Sequence, residues 1–140
     1  MKRVYAALAT VKNVRCVATR FYTPSHEWIE VDGKKATIGI TAQAQKHLGD
    51  IVFVALPNVG DAVEEQSVVG EVESIKATSD VYSPLAGTVV EVNETLRNNP
   101  KAINSSPEND GWLVRLDGIT LPESGLLSAE RYNALISSPQ

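Results

Sequence analysis

The sequence predicts a mainly β domain, a small sandwich or flattened barrel, on three observations. Short runs rich in β-branched and other apolar residues recur between residues 27 and 116, turn signals separate them, and helix-forming stretches are few. Residues 27–31 alternate as Glu-Trp-Ile-Glu-Val, and Asp32-Gly33 is a turn signal ahead of a second strand over residues 36–40. Thr41 is placed to N-cap a short helix over residues 42–48, which Gly49 would end. Residues 51–56 form a continuous apolar run stopped by Pro57, the pattern of a fully buried strand. Gly60-Asp61 turns the chain. Residues 67–73 and 87–92 are β-rich and flank the stretch 74–86, and residues 112–116 form a late strand after a polar loop over 98–111. Ser128 then caps a C-terminal helix whose Tyr132, Leu135 and Ile136 are expected to face inward.

A chain of 140 residues has room for one modest core, and 43% apolar with 21% charged residues is the balance of an ordinary soluble globular protein. No apolar run approaches the ~20 residues of a membrane span. The charge is unevenly placed. Lys2, Arg3, Lys12, Arg15 and Arg20 lie in residues 1–20 with no acidic residue. Of the 13 basic residues, 8 therefore remain in residues 21–140 against all 17 acidic ones, a net charge of −9. An acidic body without a basic patch argues against nucleic acid and against anionic membranes as partners. The excess either keeps the protein soluble or docks it to basic partners.

The first twenty residues are basic, acid-free and rich in small residues, the composition of a mitochondrial transit peptide. Val4, Ala7, Leu8, Val11, Val14 and Ala18 would form one helical stripe, interrupted by Arg15. The expectation is a removable leader over residues 1–20, a folded domain over 21–140 starting near Phe21, and a mitochondrial matrix location. The alternative is an ordered N-terminal helix of the mature fold.

The only cysteine, Cys16, falls in that leader, so the domain would hold no thiol, disulfide or Cys-based metal site. His26 and His47 are its only histidines, and no HExxH, CxxC, phosphate-binding Gly-rich loop or G-x-S-x-G occurs. No metal site is expected. Redox or covalent chemistry would have to arrive on an attached group.

The segment that bears on this is residues 71–87, Glu-Val-Glu-Ser-Ile-Lys-Ala-Thr-Ser-Asp-Val-Tyr-Ser-Pro-Leu-Ala-Gly. Two strands with apolar alternation flank a polar stretch holding one lysine, the way a chain would present Lys76 on a hairpin tip. Ala77 and Thr78 are small and leave its ammonium group open to a modifying enzyme. A solvated turn lysine is the plain alternative, and the wider pattern decides against it.

That pattern resembles the H-protein family of the glycine cleavage system, with Glu73-Ser74-Ile75-Lys76-Ala77 as the lipoylation segment. The resemblance covers nearly all of residues 22–137. It includes Pro24-Ser25-His26-Glu27-Trp28, then Ala36-Thr37-Ile38-Gly39-Ile40-Thr41 and Gly49-Asp50-Ile51-Val52-Phe53-Val54. Ile103-Asn104-Ser105-Ser106-Pro107 and Asp110-Gly111-Trp112 follow in the family's order. Ile75, where many members have valine, is a mild departure.

The resemblance implies a lipoyl-carrier fold of two small antiparallel sheets, lipoate joined by an amide to Lys76, and no catalysis by the carrier itself. The arm would reach roughly 15 Å in extended bonds. In the family it takes an aminomethyl group of glycine from a pyridoxal-phosphate glycine decarboxylase (P-protein). It then visits a folate-dependent aminomethyltransferase (T-protein) and is reoxidised by dihydrolipoamide dehydrogenase (L-protein). Enzymes that attach lipoate are further partners. Tethering gives each visit an effective concentration on the order of millimolar. A hydrolytically fragile, protonated adduct calls for a cleft that excludes water and offers a carboxylate. The family places the matching residues at Ser25, Glu27 and Asp80, with His47 near the arm. His26 is read as structural or as a docking residue.

Three rivals are separable by residues. Lipoyl domains of 2-oxo acid dehydrogenase complexes place Asp directly before the lysine, where this chain has Ile75, and sit in longer chains. Biotinyl carriers flank their lysine with methionines, and the only methionine here is Met1. An enzyme using Glu27, His47 and Asp80 as acid–base groups would lack an accompanying nucleophile or metal set. Relay of lipoyl groups to other proteins is a further role that the sequence leaves open.

Overall fold

The computed structural model describes residues 18–137, so most of the expected leader lies outside the described residues. Nine strands form two antiparallel sheets. In chain order they are β1 (Thr19–Tyr22), β2 (Glu27–Asp32), β3 (Lys35–Ile40), β4 (Ile51–Ala55), β5 (Ala62–Val63), β6 (Val68–Ser74), β7 (Thr78–Tyr82), β8 (Ala86–Val92) and β9 (Val114–Thr120). Helix α1 (Ala42–Leu48) follows β3, single turns α2 (Thr95–Asn98) and α3 (Ala102–Ser105) follow β8, and α4 (Ala129–Ser137) is the last element of the described residues. The large sheet runs β1-β2-β3-β9-β8-β5 and the small one β4-β6-β7. Their inner faces share one apolar core that includes Ile29, Ile38, Ile51, Val72, Val81, Leu85, Val89 and Leu116. This is the flattened β sandwich with a short helix after an early hairpin and a second helix at the C-terminus.

Local chemistry explains the elements that hold the site. The β2–β3 hairpin closes through Gly33 at φ 65°, with Asp32 opposite Lys35. Gly39 faces Trp28 across this pair, and any Cβ there would meet the indole at 2.7 Å. The Thr41 side chain accepts from the Ala44 N–H at the start of α1, and Gly49 ends the helix at φ 83°. Both caps fall where the sequence puts them.

Several expectations are corrected. The apolar run at 51–56 is not a fully buried strand. It is an edge strand with a bulge between Ile51 and Phe53, which leaves Val52 48% and Phe53 52% exposed. The stretch 74–86 holds a strand of its own, β7, so the lysine hairpin is tighter than its apolar flanks indicate, and the partner of β6 is β7 rather than residues 87–92. Thr78, Asp80 and Tyr82 face outward and the inner face carries polar Ser79 beside buried Val81, so the strand offers a single buried apolar residue and is hidden from a hydrophobicity reading. The loop at 98–111 contains α3, and the late strand runs from Val114 to Thr120 rather than 112–116. In α4 Tyr132 is buried, but Leu135 is 42% exposed.

Strand β1 contains Thr19 and Arg20, two residues that the sequence reading assigns to the leader. The Arg20 guanidinium meets Glu30 at 2.7 Å, donates to the Glu108 carbonyl at 2.8 Å and lies 4.2 Å over the Trp28 ring.

Candidate functional site

The β6–β7 hairpin builds its tip around one hydroxyl. Ser74 Oγ donates to the Ala77 carbonyl (3.1 Å) and accepts from the Lys76 and Ala77 amides (3.1 and 3.0 Å). The Ser74 amide also donates to the Ala77 carbonyl at 2.8 Å. Four residues are thus locked into a fixed turn whose Ile75 and Lys76 side chains project outward, Ile75 being 72% exposed. The tip is tied down from below, because the Ile75 amide donates to the Asp50 carbonyl. Asn104 grips the same connection from the other side, donating to the Gly49 carbonyl and accepting from the Ile51 amide, both at 2.9 Å. The Ile103-Asn104-Ser105 motif therefore anchors the platform under the lysine.

Lys76 is exposed, and among the described residues no carboxylate pairs with it. Its Cε lies 3.1 Å, and its Nζ 3.7 Å, from where a Cβ on Gly49 would stand. Only glycine combines that close approach with the left-handed backbone at the end of α1. His47, exposed in the last turn of α1, meets His26 edge to face with ring centroids 6.5 Å apart.

Ser25 and Glu27 come together, the serine exposed and the carboxylate buried. Glu27 is only 3% exposed. Its Oε1 accepts from the Thr23 and Ser25 hydroxyls, each at 2.6 Å, and its Oε2 accepts from the Tyr82 amide at 3.2 Å. Glu27 is thereby a strap between β2 of the large sheet and β7 of the small one. Thr23, whose hydroxyl also accepts from the Glu27 amide, was not anticipated. Its only trace in the sequence is its place two residues before Ser25. Asp80 is exposed on β7 directly opposite Glu71, and its carboxylate has no hydrogen bond or ion pair among the described residues. The structure therefore joins Ser25 to Glu27 and sets His47 against His26, two residues before Gly49, while Asp80 has no side-chain hydrogen bond or ion pair among the described residues.

A second node lies behind His26, a residue held at φ 72°. His26 Nδ1 is 2.6 Å and Thr41 Oγ1 2.7 Å from the Tyr132 hydroxyl, and the Tyr132 ring stacks on Tyr22 at 4.9 Å. Burial lowers the His26 pKa below its ordinary value of 6.5, and the neighbouring His47 adds to that, against the opposing pull of Glu27. Burial likewise raises the Tyr132 phenol above 10.0. Both shifts favour the neutral forms, and the node docks α4 beside the start of β2.

Comparison with known proteins agrees with this geometry. The family model described as glycine cleavage H-protein matches residues 20–138. The chain is 50% identical over 120 residues to the glycine cleavage system H protein of Nitratidesulfovibrio vulgaris (strain Miyazaki F), covering 86% of this chain and 94% of that one. It is 48% identical over 116 residues to glycine cleavage system H protein 2, mitochondrial, of Arabidopsis thaliana, covering 80% and 72%. A crystal structure of a glycine cleavage system H protein from Mycobacterium marinum superposes with a TM-score of 0.78 at 38% identity, covering 85% of this chain and 97% of that one. With a matching sandwich, a lysine presented on a fixed hairpin tip, and a family match spanning the domain, the chain belongs to the glycine cleavage H-protein family, the lipoyl carriers of the glycine cleavage system.

Proposed function

We propose that Lys76 carries lipoate in amide linkage and that the domain works as a shuttle rather than a catalyst. The observation that carries this reading is the tip itself. Ser74 fixes the turn, Gly49 and Ala77 leave room around the lysine, and among the described residues no carboxylate pairs with it. These features fit an attached arm, because an unpaired exposed lysine gives up no ion pair on acylation. When bound, the lipoyl dithiolane supplies a thiol–disulfide couple able to take up and release a one-carbon amine unit of glycine.

The remaining roles belong to this chain's own side chains. In this reading His47, two residues before Gly49, lies near the arm, Ser25 and its partner Glu27 mark the far end of the arm's cleft, and Asp80 lies on β7 between the tip and Tyr82, whose amide Glu27 accepts. A carboxylate at that end selects a cationic amine over a neutral group. The partners are the P-, T- and L-proteins and the enzymes that attach lipoate. The basic, acid-free composition of residues 1–20 supports a mitochondrial matrix location, and one relative carries that location in its name. Intact-mass spectrometry of the mature protein tests attachment and processing together. An unmodified lysine in protein from cells with working lipoate attachment would overturn the reading.

A further inference from the structure

We propose that Asn104 is a positioning residue for the modification of Lys76, and that Asn93 and Gly111 hold it in place from the large sheet. Among the described residues Asn104 makes no hydrogen bond to Lys76 or to its hairpin. Its carboxamide donates to the Gly49 carbonyl and accepts from the Ile51 amide, both at 2.9 Å. Between those two residues lies Asp50, whose carbonyl accepts from the Ile75 amide at 3.2 Å. Ile75 immediately precedes the lysine, Ile51 stands opposite Ser74 on the β4–β6 ladder, and Gly49 lies against the lysine Cε. These three contacts of the tip with the chain below it all fall on residues 49–51, which one side chain grips.

The residue type explains the grip. The carbonyl of one residue and the amide of the next but one need a partner with an acceptor and a donor side by side, and a carboxamide has both. A carboxylate would lose the donor and set a negative charge against the Gly49 carbonyl, and an aliphatic side chain would lose both bonds. Gly49 itself, with no side chain and a left-handed backbone, gives the connection little stiffness of its own. Asn104 supplies that stiffness from outside.

Asn104 is in turn braced. It belongs to the single turn α3, whose Ile103 is fully buried in the core. Gly111 packs on this turn so closely that a Cβ there would stand 3.0 Å from the Ile103 Cα and 2.9 Å from the Ser106 carbonyl oxygen. Asn93, a buried residue just after β8, donates to the carbonyls on either side of Gly111, at 2.9 Å to Asp110 and 2.8 Å to Trp112. A line of contacts therefore runs from β8 through Asn93, Gly111 and α3 to Asn104, and from there to the lysine tip. An enzyme that acylates Lys76 has to close around this tip, and a tip already held in one geometry loses less freedom on binding than a loose one.

The test offers unlipoylated full-length protein as the varied substrate to a lipoate ligase supplied with lipoate and ATP, and follows backbone amide hydrogen exchange in the same variants. In Asn104→Ala the KM for the carrier should rise about threefold or more, with kcat changed by less than about twofold, because ordering of the tip moves into the binding step. Exchange at the Ile75 amide should quicken about threefold or more in parallel, through easier local opening. That amide is the informative one, since Asn104 does not bond to it. Asn104→Asp keeps the acceptor for Ile51 and loses the donor to Gly49, and it should move both readouts in the same direction if the alanine variant folds poorly. Ile38→Val, which thins the core of the large sheet, controls for a general loss of stability and should leave both readouts at the parent's values. Unchanged KM or unchanged Ile75 exchange in both Asn104 variants, or an equal rise in Ile38→Val, would overturn the proposal. The kinetic effect rests on Lys76 being the modified residue, whereas exchange at Ile75 does not. A parent protein that the ligase leaves unmodified would overturn the reading of Lys76, and exchange alone would then decide whether Asn104 positions the tip.

Discussion

Gly49 is the seat of Lys76: a methyl group added at Gly49 would stand 3.1 Å from the lysine Cε, on a backbone at φ 83° and ψ −147° that side chains rarely adopt. One residue therefore serves as the end of α1 and as the clearance for the arm. Gly49→Ala is expected to destabilise the domain by about 1–3 kcal/mol, since that region of backbone space is nearly exclusive to glycine. It should also slow modification of Lys76 by a lipoate ligase. Chemical denaturation and an intact-mass time course read the two effects. An alanine variant as stable as the parent would show that the turn is softer than its geometry.

Ser74 makes a sharper prediction, because its hydroxyl acts only on the tip. Ser74→Ala removes one donor and the acceptor for two amides. The expected loss of stability is about 1–2 kcal/mol. Amide hydrogen exchange at Lys76 and Ala77 should rise with little change in the large sheet, and lipoylation should slow. Unchanged exchange at those two amides would remove Ser74 from its role.

Glu27 and Asp80 are expected to part company. Both were placed in the cleft from the sequence, but Glu27 is a buried strap accepting three hydrogen bonds and Asp80 is exposed and unbonded. Glu27→Gln should lower stability by about 1–3 kcal/mol, the range for hydrogen bonds to a charged group. Asp80→Asn should leave stability unchanged or slightly raised, since it relieves a like charge directly opposite Glu71. Both should shorten the lifetime of the amine-loaded carrier severalfold. Equal lifetimes for parent and Asp80→Asn would confine Asp80 to solvated surface.

The His26 node gives a pH dependence of definite sign. Its folded pKa is below the unfolded value of 6.5, so at mildly acid pH the unfolded chain binds more protons than the folded one. The stability from neutral His26 is fully present above pH 6.5 and is lost as pH falls through the folded pKa. The charged and titratable groups facing it are His47 on α1, Tyr132 on α4 and Glu27 beside it on β2. His26→Asn, which tolerates φ 72°, should flatten the slope of stability against pH just below 6.5. An unaltered slope would assign the dependence to other groups. For Tyr132 the sign reverses, and stability should fall as pH rises above 10.0.

Arg20 bears on where the proposed leader would end. Its ion pair with Glu30 and its stacking on Trp28 are together worth about 1–2 kcal/mol at a partly exposed site. A mature chain that starts upstream of Thr19 keeps them, whereas one that starts at Phe21 loses them. N-terminal analysis of the mature protein is expected to find the earlier start, and a chain beginning at Phe21 should melt lower.

Much of this architecture was legible where local chemistry fixes it. Asp32-Gly33, Thr41 and Gly49 each impose one backbone geometry, so the β2–β3 hairpin and both ends of α1 follow from the sequence alone. β7 was not legible, because its inward positions are Ser79 and Val81 and only the second is apolar. The exposure of Phe53 was hidden for the opposite reason: an apolar run looks the same at a sheet edge as in its centre, and the bulge at Ile51 has no marker. At the site, the residue pattern drew attention to Lys76, and the family resemblance, not residue types, supplied Ser25, Glu27, His47 and Asp80. The burial of Glu27 and the Tyr132 hydroxyl reaching His26 depend on contacts across long stretches of chain, to Tyr82 and from α4, which spacing does not encode.

The central claim is that Lys76 is the attachment point of the arm. Intact-mass spectrometry of the domain, produced in cells able to attach lipoate, should show an increment of about 188 Da, the mass of lipoate less water. Lys76→Arg keeps the positive charge and should abolish the increment completely, while Lys46→Arg and Lys101→Arg retain it. An increment that persists in Lys76→Arg, or that is absent from the parent under the same conditions, would contradict the account.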